Sequence, residues 1–224
     1  MKSLIIIPAY NEANNVPDLV KKIEKLGYEY LVINDCSTDN SVEVYDKNAI
    51  NYLNLPLNLG LASVTQAGFR YAEYHNYDCA IVIDGDGQHP PFNIEKLLNK
   101  IEKGYDYVIG SRYVEVEKPW SLRMIGSRII SFFIFIKTGK KITDPTSGMR
   151  ALSKKVMHEF SENMNFIAEP DALVYLLKKG YNVDEVQVKM EERENGVSYF
   201  HNPIRAIKFV FNVIVSIIVM WGGH

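Results

Sequence analysis

The sequence predicts an α/β protein built on a doubly wound, mostly parallel sheet flanked by helices. Three observations predict it. Short apolar runs alternate with helix-patterned stretches through the first 110 residues, the order that βαβ units require. Each run is apolar throughout rather than at every second position, as strands covered on both faces are. Finally, polar and acidic residues collect just after the runs, where open α/β sheets place their sites.

The strands read as Leu4–Ile7, Tyr30–Asn34, Ile50–Leu53, Cys79–Asp84 and Tyr107–Ser111. Helices are expected over 14–26, 38–46, 61–75 and 91–103. In the last, Phe92, Ile94, Leu97, Leu98 and Ile101 form an apolar stripe, and Pro91 suits a first turn. The second half is less regular. A helix is expected at 121–137, then the polar turn Thr143-Asp144-Pro145-Thr146-Ser147-Gly148. Strands at Met149–Leu152 and Val183–Val188 flank a helix at 169–179 that Gly180 ends. Residues 189–202 read as a polar loop and 203–221 as a helix. One domain over 1–202 followed by a membrane-facing, amphipathic or hydrophobic helix over 203–224 is the economical division.

Composition narrows the classes. Of 224 residues, 47% are hydrophobic and 23% charged, which suits a globular core and excludes disorder. A net charge of −2 gives no basis for nucleic-acid binding. Cys36 and Cys79 form neither a zinc-ligand spacing nor a disulfide framework, and the four residues His75, His89, His158 and His201 have no ligand spacing among them. Met1-Lys2-Ser3 runs straight into Leu4–Pro8, too short an apolar stretch for a leader, so a reduced, cytoplasmic setting is expected. Charge is unevenly spread. From Lys118 to Thr143 there are six basic residues and no acidic one, around the run Ile129–Ile136; from Pro203 to Trp221 only Arg205 and Lys208 are charged. Two basic and apolar stretches in a slightly acidic chain imply a face against an anionic membrane. Phe209–Trp221 is 13 residues, short of the roughly 20 a span needs, so an in-plane helix on the cytoplasmic face is expected.

The sharpest local signal is Asp84-Gly85-Asp86-Gly87-Gln88. Two carboxylates two residues apart beyond a buried strand repel unless a cation compensates. A hard divalent ion held by Asp84 and Asp86, with Gln88 as a neutral oxygen ligand, resolves the conflict; a surface Asp-Gly turn is the bland reading. After the first strand, Tyr10 offers an aromatic face and Glu12 an acceptor, although a helix-capping turn would use the same residues. Asp35 follows the second strand as a candidate acceptor, with Asp39 a cap.

In order along the chain, Ile5–Glu12, Val32–Asp39, Asn58-Leu59-Gly60, Asp84–Pro90, Gly110-Ser111-Arg112-Tyr113, Asp144–Arg150 and Arg193–Ser198 resemble the inverting glycosyltransferase family 2. The likeness is nearest to the dolichyl- and polyprenyl-phosphate sugar synthases and related cell-wall glycosyltransferases, and spans about residues 3–200. It implies a GT-A fold, a Rossmann-like sheet, and a UDP-, GDP- or dTDP-sugar donor with Mg²⁺ or Mn²⁺. It also implies that Pro8, Tyr10, Glu12, Asp35 and Asp84 hold the nucleotide and that Asp84, Asp86 and Gln88 hold the metal. By the same likeness Arg112, Arg123 and Ser127 bind an acceptor phosphate, a task that suits the planar guanidinium fork. Arg193 and Ser198 shape a lid beside Gly196.

The reaction implied is single displacement at the anomeric carbon, with Asp86, Arg112 and Asp144 as the catalytic set. A polyprenyl phosphate acceptor is already anionic and needs little base; a sugar hydroxyl on a lipid-linked oligosaccharide needs one. Asp144 is the first candidate base, then Glu169 or Asp171. Glu169-Pro170-Asp171-Ala172 resembles the cell-wall enzymes instead, which leaves the glycan hydroxyl open as acceptor. A non-catalytic nucleotide-sugar-binding module is the remaining alternative, and a second copy of the chain stays among the admissible partners. A dinucleotide-binding dehydrogenase is excluded because no G-x-G-x-x-G follows the first strand.

Overall fold

A computed structural model describes residues 1–162, 170–191 and 203–219, without the side chains of residues 122, 123, 203, 205 and 206. Within them the chain runs β1 (Ser3–Ala9), α1 (Val16–Lys25), β2 (Glu29–Asn34), α2 (Ser41–Lys47), β3 (Tyr52–Asn54), α3 (Gly60–Tyr74) and β4 (Cys79–Val82). A short 3₁₀ turn, Pro91–Asn93, leads into α4 (Ile94–Glu102). Then follow β5 (Tyr107–Ser111), α5 (Leu122–Thr138), β6 (Arg150–Ser153), α6 (Lys154–Glu162), α7 (Pro170–Lys178), β7 (Val183–Gln187) and α8 (Pro203–Val219).

The seven strands form one sheet in the order β3-β2-β1-β4-β6-β5-β7. Six point the same way. β6 alone is antiparallel, pairing Val82 with Arg150 on one side and Ile109 with Arg150 on the other. Strand residues alternate between two cores: Leu4 and Ile6 of β1 face α3, α5, α6, α7 and α8, whereas Ile5, Ile7 and Ala9 face α1, α2 and α4. Burial on both faces is why these strands read as unbroken apolar runs. At α3 the approach is close: a Cβ on Gly68 would lie 2.5 Å from Ile6 Cγ2.

Most expected elements are present with ends moved by a few residues. β3 begins at Tyr52 rather than Ile50, and α4 starts after a 3₁₀ turn. Two features depart from the reading. β6 runs against its neighbours, and Lys154–Glu162 forms a helix, α6, that buries Val156, Met157 and Phe160 beneath α3. Both cysteines are free.

Ser121 caps α5 by accepting from the Met124 amide at 3.3 Å, and Gly139 ends it in the left-handed conformation. α8 lies across α5 at Gly126, where a Cβ would meet Val210 Cγ2 at 2.8 Å, and buries Val213 and Ile217 in the shared core. Apolar side chains are exposed on both helices: Phe132, Phe135 and Ile136 of α5, and Ile207, Phe211 and Val219 of α8 beside exposed Lys208 and Asn212, as is Trp120 just before α5. Among the described residues no helix is long and apolar enough to cross a membrane.

Candidate active site

The carboxyl ends of β1, β2, β4 and β5 bring the motifs Ile5–Glu12, Val32–Asp39, Asp84–Pro90 and Gly110–Tyr113 to one edge of the sheet. Gly85 donates its amide to the Pro8 carbonyl at 3.2 Å, and a Cβ there would crowd that oxygen at 2.9 Å, so glycine lets the acidic turn lie against the end of β1. Gly87 takes φ +78°, the left-handed turn that aims the following residues back. Asp86 is buried, and its Oδ1 accepts from the Gln88 amide at 3.0 Å. Asp84 is partly exposed and leans over Gly148: a Cβ on Gly148 would lie 2.2 Å from Asp84 Oδ2. His89 is buried, with its Nδ1 accepting from the Asp84 amide at 3.2 Å.

The nucleoside candidates divide. Tyr10 keeps 47% of its surface exposed, a ring face open for stacking. Pro8 lies in β1 beside Ile33. Glu12 accepts from Asn15 Nδ2 at 2.5 Å. Asp35 is buried, and its two oxygens accept from the Leu59 and Gly60 amides at 2.7 and 2.9 Å, capping the start of α3. Asn11 sits in the left-handed region at φ 56°, its Oδ1 accepting from the Thr38 and Asp39 amides at 2.8 and 3.3 Å, which ties the end of β1 to the β2–α2 loop. Asp39 is not the cap residue of α2, which is Asn40; it lies one residue earlier and accepts from the Ser41 amide at 3.0 Å.

On the far side of the acidic turn, Arg112 and Asp144 form a two-pronged ion pair: Nε to Oδ2 at 2.7 Å and Nη2 to Oδ1 at 2.9 Å, with the Arg112 amide to Oδ2 at 3.2 Å. The Asp144 side chain is 0% exposed and that of Arg112 20%. Burial alone would pull the Arg112 guanidinium down; the bond to Asp144 and its charge more than offset this and hold it above its ordinary range. Glu185 on β7 carries the next layer, accepting from the Thr143 amide at 2.6 Å, the Asp144 amide at 2.9 Å and Thr143 Oγ1 at 3.0 Å. Gln187 accepts from the Val114 and Glu115 amides at 2.9 Å each and donates to the Arg112 carbonyl at 3.0 Å. Arg150, also buried, donates from Nε to the Ser147 carbonyl at 2.8 Å.

Ser127 lies under this cluster, buried, with its hydroxyl accepting from Lys118 Nζ at 2.9 Å. Arg123 is in the first turn of α5, one turn before Ser127, and its side chain lies outside the described residues. So do Glu169, Arg193 and Ser198, while Asp171 accepts from Ser216 of α8 at 2.7 Å. The structure thus brings Asp84, Asp86, Arg112 and Asp144 to one edge and gives Asp171 to the helix layer. Sequence reasoning missed Glu185 and Gln187, whose partners are far along the chain, and Lys118, which itself lies in the irregular stretch between β5 and α5.

No three His, Cys, Asp or Glu residues among the described ones are grouped to hold a metal by themselves. Asp84, Asp86 and the Gln88 side chain offer oxygen donors of the kind a hard divalent ion takes.

The family described as Glycosyl transferase family 2 matches residues 4–160. The chain is 34% identical over 212 residues to a dolichol-phosphate mannosyltransferase of Pyrococcus furiosus, covering 88% of this chain and 59% of the relative. It is 28% identical to the polyprenol monophosphomannose synthase of Mycolicibacterium smegmatis, covering 88% of this chain and 80% of that one. The fold superposes with a TM-score of 0.75 on the glucosyl-3-phosphoglycerate synthase of Mycobacterium tuberculosis solved with Mn²⁺, UDP and phosphoglyceric acid, at 14% identity over 99% of this chain and 78% of that one. With its motif order, its acidic turn beyond β4 and its sheet, the chain belongs to glycosyl transferase family 2 and is a glycosyltransferase of the GT-A fold.

Proposed function

We propose that this glycosyltransferase moves a sugar, with inversion, from a nucleoside-diphosphate sugar to a polyprenyl phosphate at the membrane surface. The single observation that carries the reading is the meeting of an acidic turn and a basic cluster across one short segment. Gly148 abuts Asp84, and Asp144, four residues earlier, grips Arg112. A donor diphosphate with its cation fits the first, and an acceptor phosphate fits the second. Relatives named as acting on polyprenol or dolichol phosphate support the acceptor class, and the Mn²⁺ and UDP in a solved structure of the same fold support a metal-assisted donor.

In this reading Asp84, Asp86 and Gln88 hold Mg²⁺ or Mn²⁺, which when bound offsets charge building on the leaving diphosphate. Tyr10 stacks on the base. Pro8, Glu12 and Asp35 shape the nucleoside pocket, Asp35 by holding the Asn58–Gly60 turn. Arg112, with Arg123 and Ser127, orients the acceptor phosphate and screens its repulsion from the donor, a preorganised electrostatic role. The phosphate oxygen is already an anion near neutral pH, so no base is needed. The burial of Asp144 against Arg112 suits that chemistry better than a hydroxyl acceptor, which would require an accessible carboxylate. Arg193 and Ser198 close over the donor. The exposed apolar side chains of α5 and α8 would seat the enzyme on the cytoplasmic leaflet.

The test is nucleoside diphosphate release from UDP-, GDP- and dTDP-sugars with Mg²⁺ or Mn²⁺, with and without a short polyprenyl phosphate. Release that requires the lipid phosphate and is lost in Asp86→Ala supports the reading. Turnover only with a lipid-linked oligosaccharide moves the acceptor to a hydroxyl. Donor binding without turnover on any acceptor leaves the binding-module alternative.

A further inference from the structure

Three cations gather beneath the β5–α5 loop where burial makes their mutual repulsion costly. Lys118 Nζ lies 5.3 Å from the centre of the Tyr113 ring, and the Arg112 guanidinium carbon lies 5.1 Å from the same centre. Arg128, next to Ser127 on α5, donates to the Pro119 carbonyl at 3.0 Å and to the Lys118 carbonyl, so it anchors the loop on which Lys118 sits. Burial first, and then the charges of Arg128 and Arg112, hold the Lys118 ammonium below its ordinary range against the opposing pull of Asp144 and Glu185. Those two carboxylates are already engaged, Asp144 by Arg112 and Glu185 by the amides of Thr143 and Asp144. A half-buried ammonium among two guanidiniums, whose hydrogen-bond partner is a neutral serine, is a place prepared for an anion.

Beside it a groove runs between this loop and the outer face of α5. Arg128, Ser131, Phe132 and Phe135 line it from the helix, a spacing of three, one and three residues that keeps them on one face over about 10 Å. Val114 and Val116 line it from the loop, and its charged lining is Lys118, Arg128 and Lys141 against Glu115 and Glu117. The groove thus joins cationic side chains, Lys118 and Arg128 among them, to the apolar surface of Phe132 and Phe135, the complement of an anionic headgroup on a hydrocarbon chain.

We infer that Lys118 is a ligand of the acceptor phosphate, giving a phosphate oxygen the hydrogen bond it now gives Ser127, and that the groove along Arg128–Phe135 receives the first isoprene units of the acceptor. This rests on the polyprenyl-phosphate reading above and names two features of its acceptor site.

The experiment uses the full chain with its working donor, farnesyl phosphate as acceptor and inorganic phosphate as competitor. In Lys118→Met the KM for farnesyl phosphate should rise about tenfold to a hundredfold, the loss of one charged hydrogen bond. Inhibition by inorganic phosphate should weaken in parallel while the KM for the donor stays constant, and Lys118→Arg should restore most of the loss. In Phe132→Asp the KM for farnesyl phosphate should rise with no change in inhibition by inorganic phosphate. An unchanged acceptor KM in Lys118→Met overturns the ligand assignment. A Phe132→Asp enzyme that keeps its farnesyl phosphate KM overturns the groove assignment. A wild-type enzyme that turns over without any lipid phosphate defeats the underlying functional reading instead, before either variant is made.

Discussion

Replacing Asp144 with Asn separates its two conceivable roles, a proton acceptor or the brace for Arg112. The carboxylate is wholly buried and takes three hydrogen bonds from Arg112, two of them from the guanidinium at 2.7 and 2.9 Å. Asparagine keeps the shape but turns one of those acceptors into a donor facing a donor, and it removes the compensating charge. Breaking a buried pair costs about 3–5 kcal/mol; because a fifth of the Arg112 side chain still reaches solvent, about 2–3 kcal/mol is the better figure here. For a chain of this length each kcal/mol moves Tm by about 2–4 °C, so a fall of about 4–12 °C is expected. Calorimetry reads that fall, and steady-state kinetics read the rest. The acceptor KM should rise about tenfold or more as Arg112 loses its aim, with kcat within about tenfold of the parent. If instead Tm and acceptor KM hold and kcat drops by about a thousandfold, the loss has the size of a general base. Asp144 would then be a proton acceptor, and the bracing role would be wrong.

Gly148→Ala places a methyl where only 2.2 Å separates it from Asp84 Oδ2; if Asp84 holds the ion as proposed, the apparent affinity for Mn²⁺, read from the metal dependence of turnover, should fall about tenfold or more as that carboxylate moves. Gly68→Ala drives a methyl to 2.5 Å from Ile6 Cγ2 and should lower stability by about 1–3 kcal/mol in urea, with little effect on KM. His158 and Glu73 join α6 to α3, the Glu73 carboxyl being held low, first by Ser161 and then by His158, and His158 being held high by Glu73. That contribution is complete below the unfolded histidine value of 6.5 and above the unfolded glutamate value of 4.5, and is lost as pH rises through the raised His158 pKa. His158→Gln should therefore lower Tm at pH 6 and leave it unchanged at pH 9; equal losses at both would sink the ion-pair account.

Legibility followed locality. The parallel half was readable because β1, β2, β4 and β5 are covered on both faces and so print as unbroken apolar runs, and the residues after them fall at the carboxyl edge whatever the strand order. The acidic turn was readable because two carboxylates two residues apart carry their conflict within a pentapeptide. Nothing comparable marks β6. Its four residues, Arg150–Ser153, are consistent with either direction, and the direction is set by pairing with Cys79–Val82 and Tyr107–Ile109, far away in sequence. α6 has three buried apolar residues in nine and is otherwise charged or polar, too thin a stripe to announce a helix. Glu185 sits in a strand-like run, and its role depends on amides 41 and 42 residues distant.

The reversed strand is also what makes the site possible. Because β6 runs against β4 and β5, the turn that enters it lies at their carboxyl ends, between the acidic turn after β4 and Arg112 after β5. A parallel strand there would place that turn at the opposite edge. The turn is stiffened from three sides: the Ser147 hydroxyl donates to the Gly110 carbonyl at 2.5 Å, Arg150 donates to the Ser147 carbonyl, and Glu185 receives the amides of Thr143 and Asp144. Its ends touch the opposite charge groups, Gly148 the Asp84 carboxylate and Asp144 the Arg112 guanidinium. In the proposed function, a spacer held in this way fixes the distance between a donor diphosphate and an acceptor phosphate that repel one another. Displacement at either end is then transmitted to the other, so Asp144→Asn and Gly148→Ala should not be independent. Combined, their effects on kcat/KM should depart from additivity by more than the roughly 0.5 kcal/mol typical of separate sites. Strict additivity would mean that the turn yields locally, and that the two charge clusters are positioned by their own strands alone.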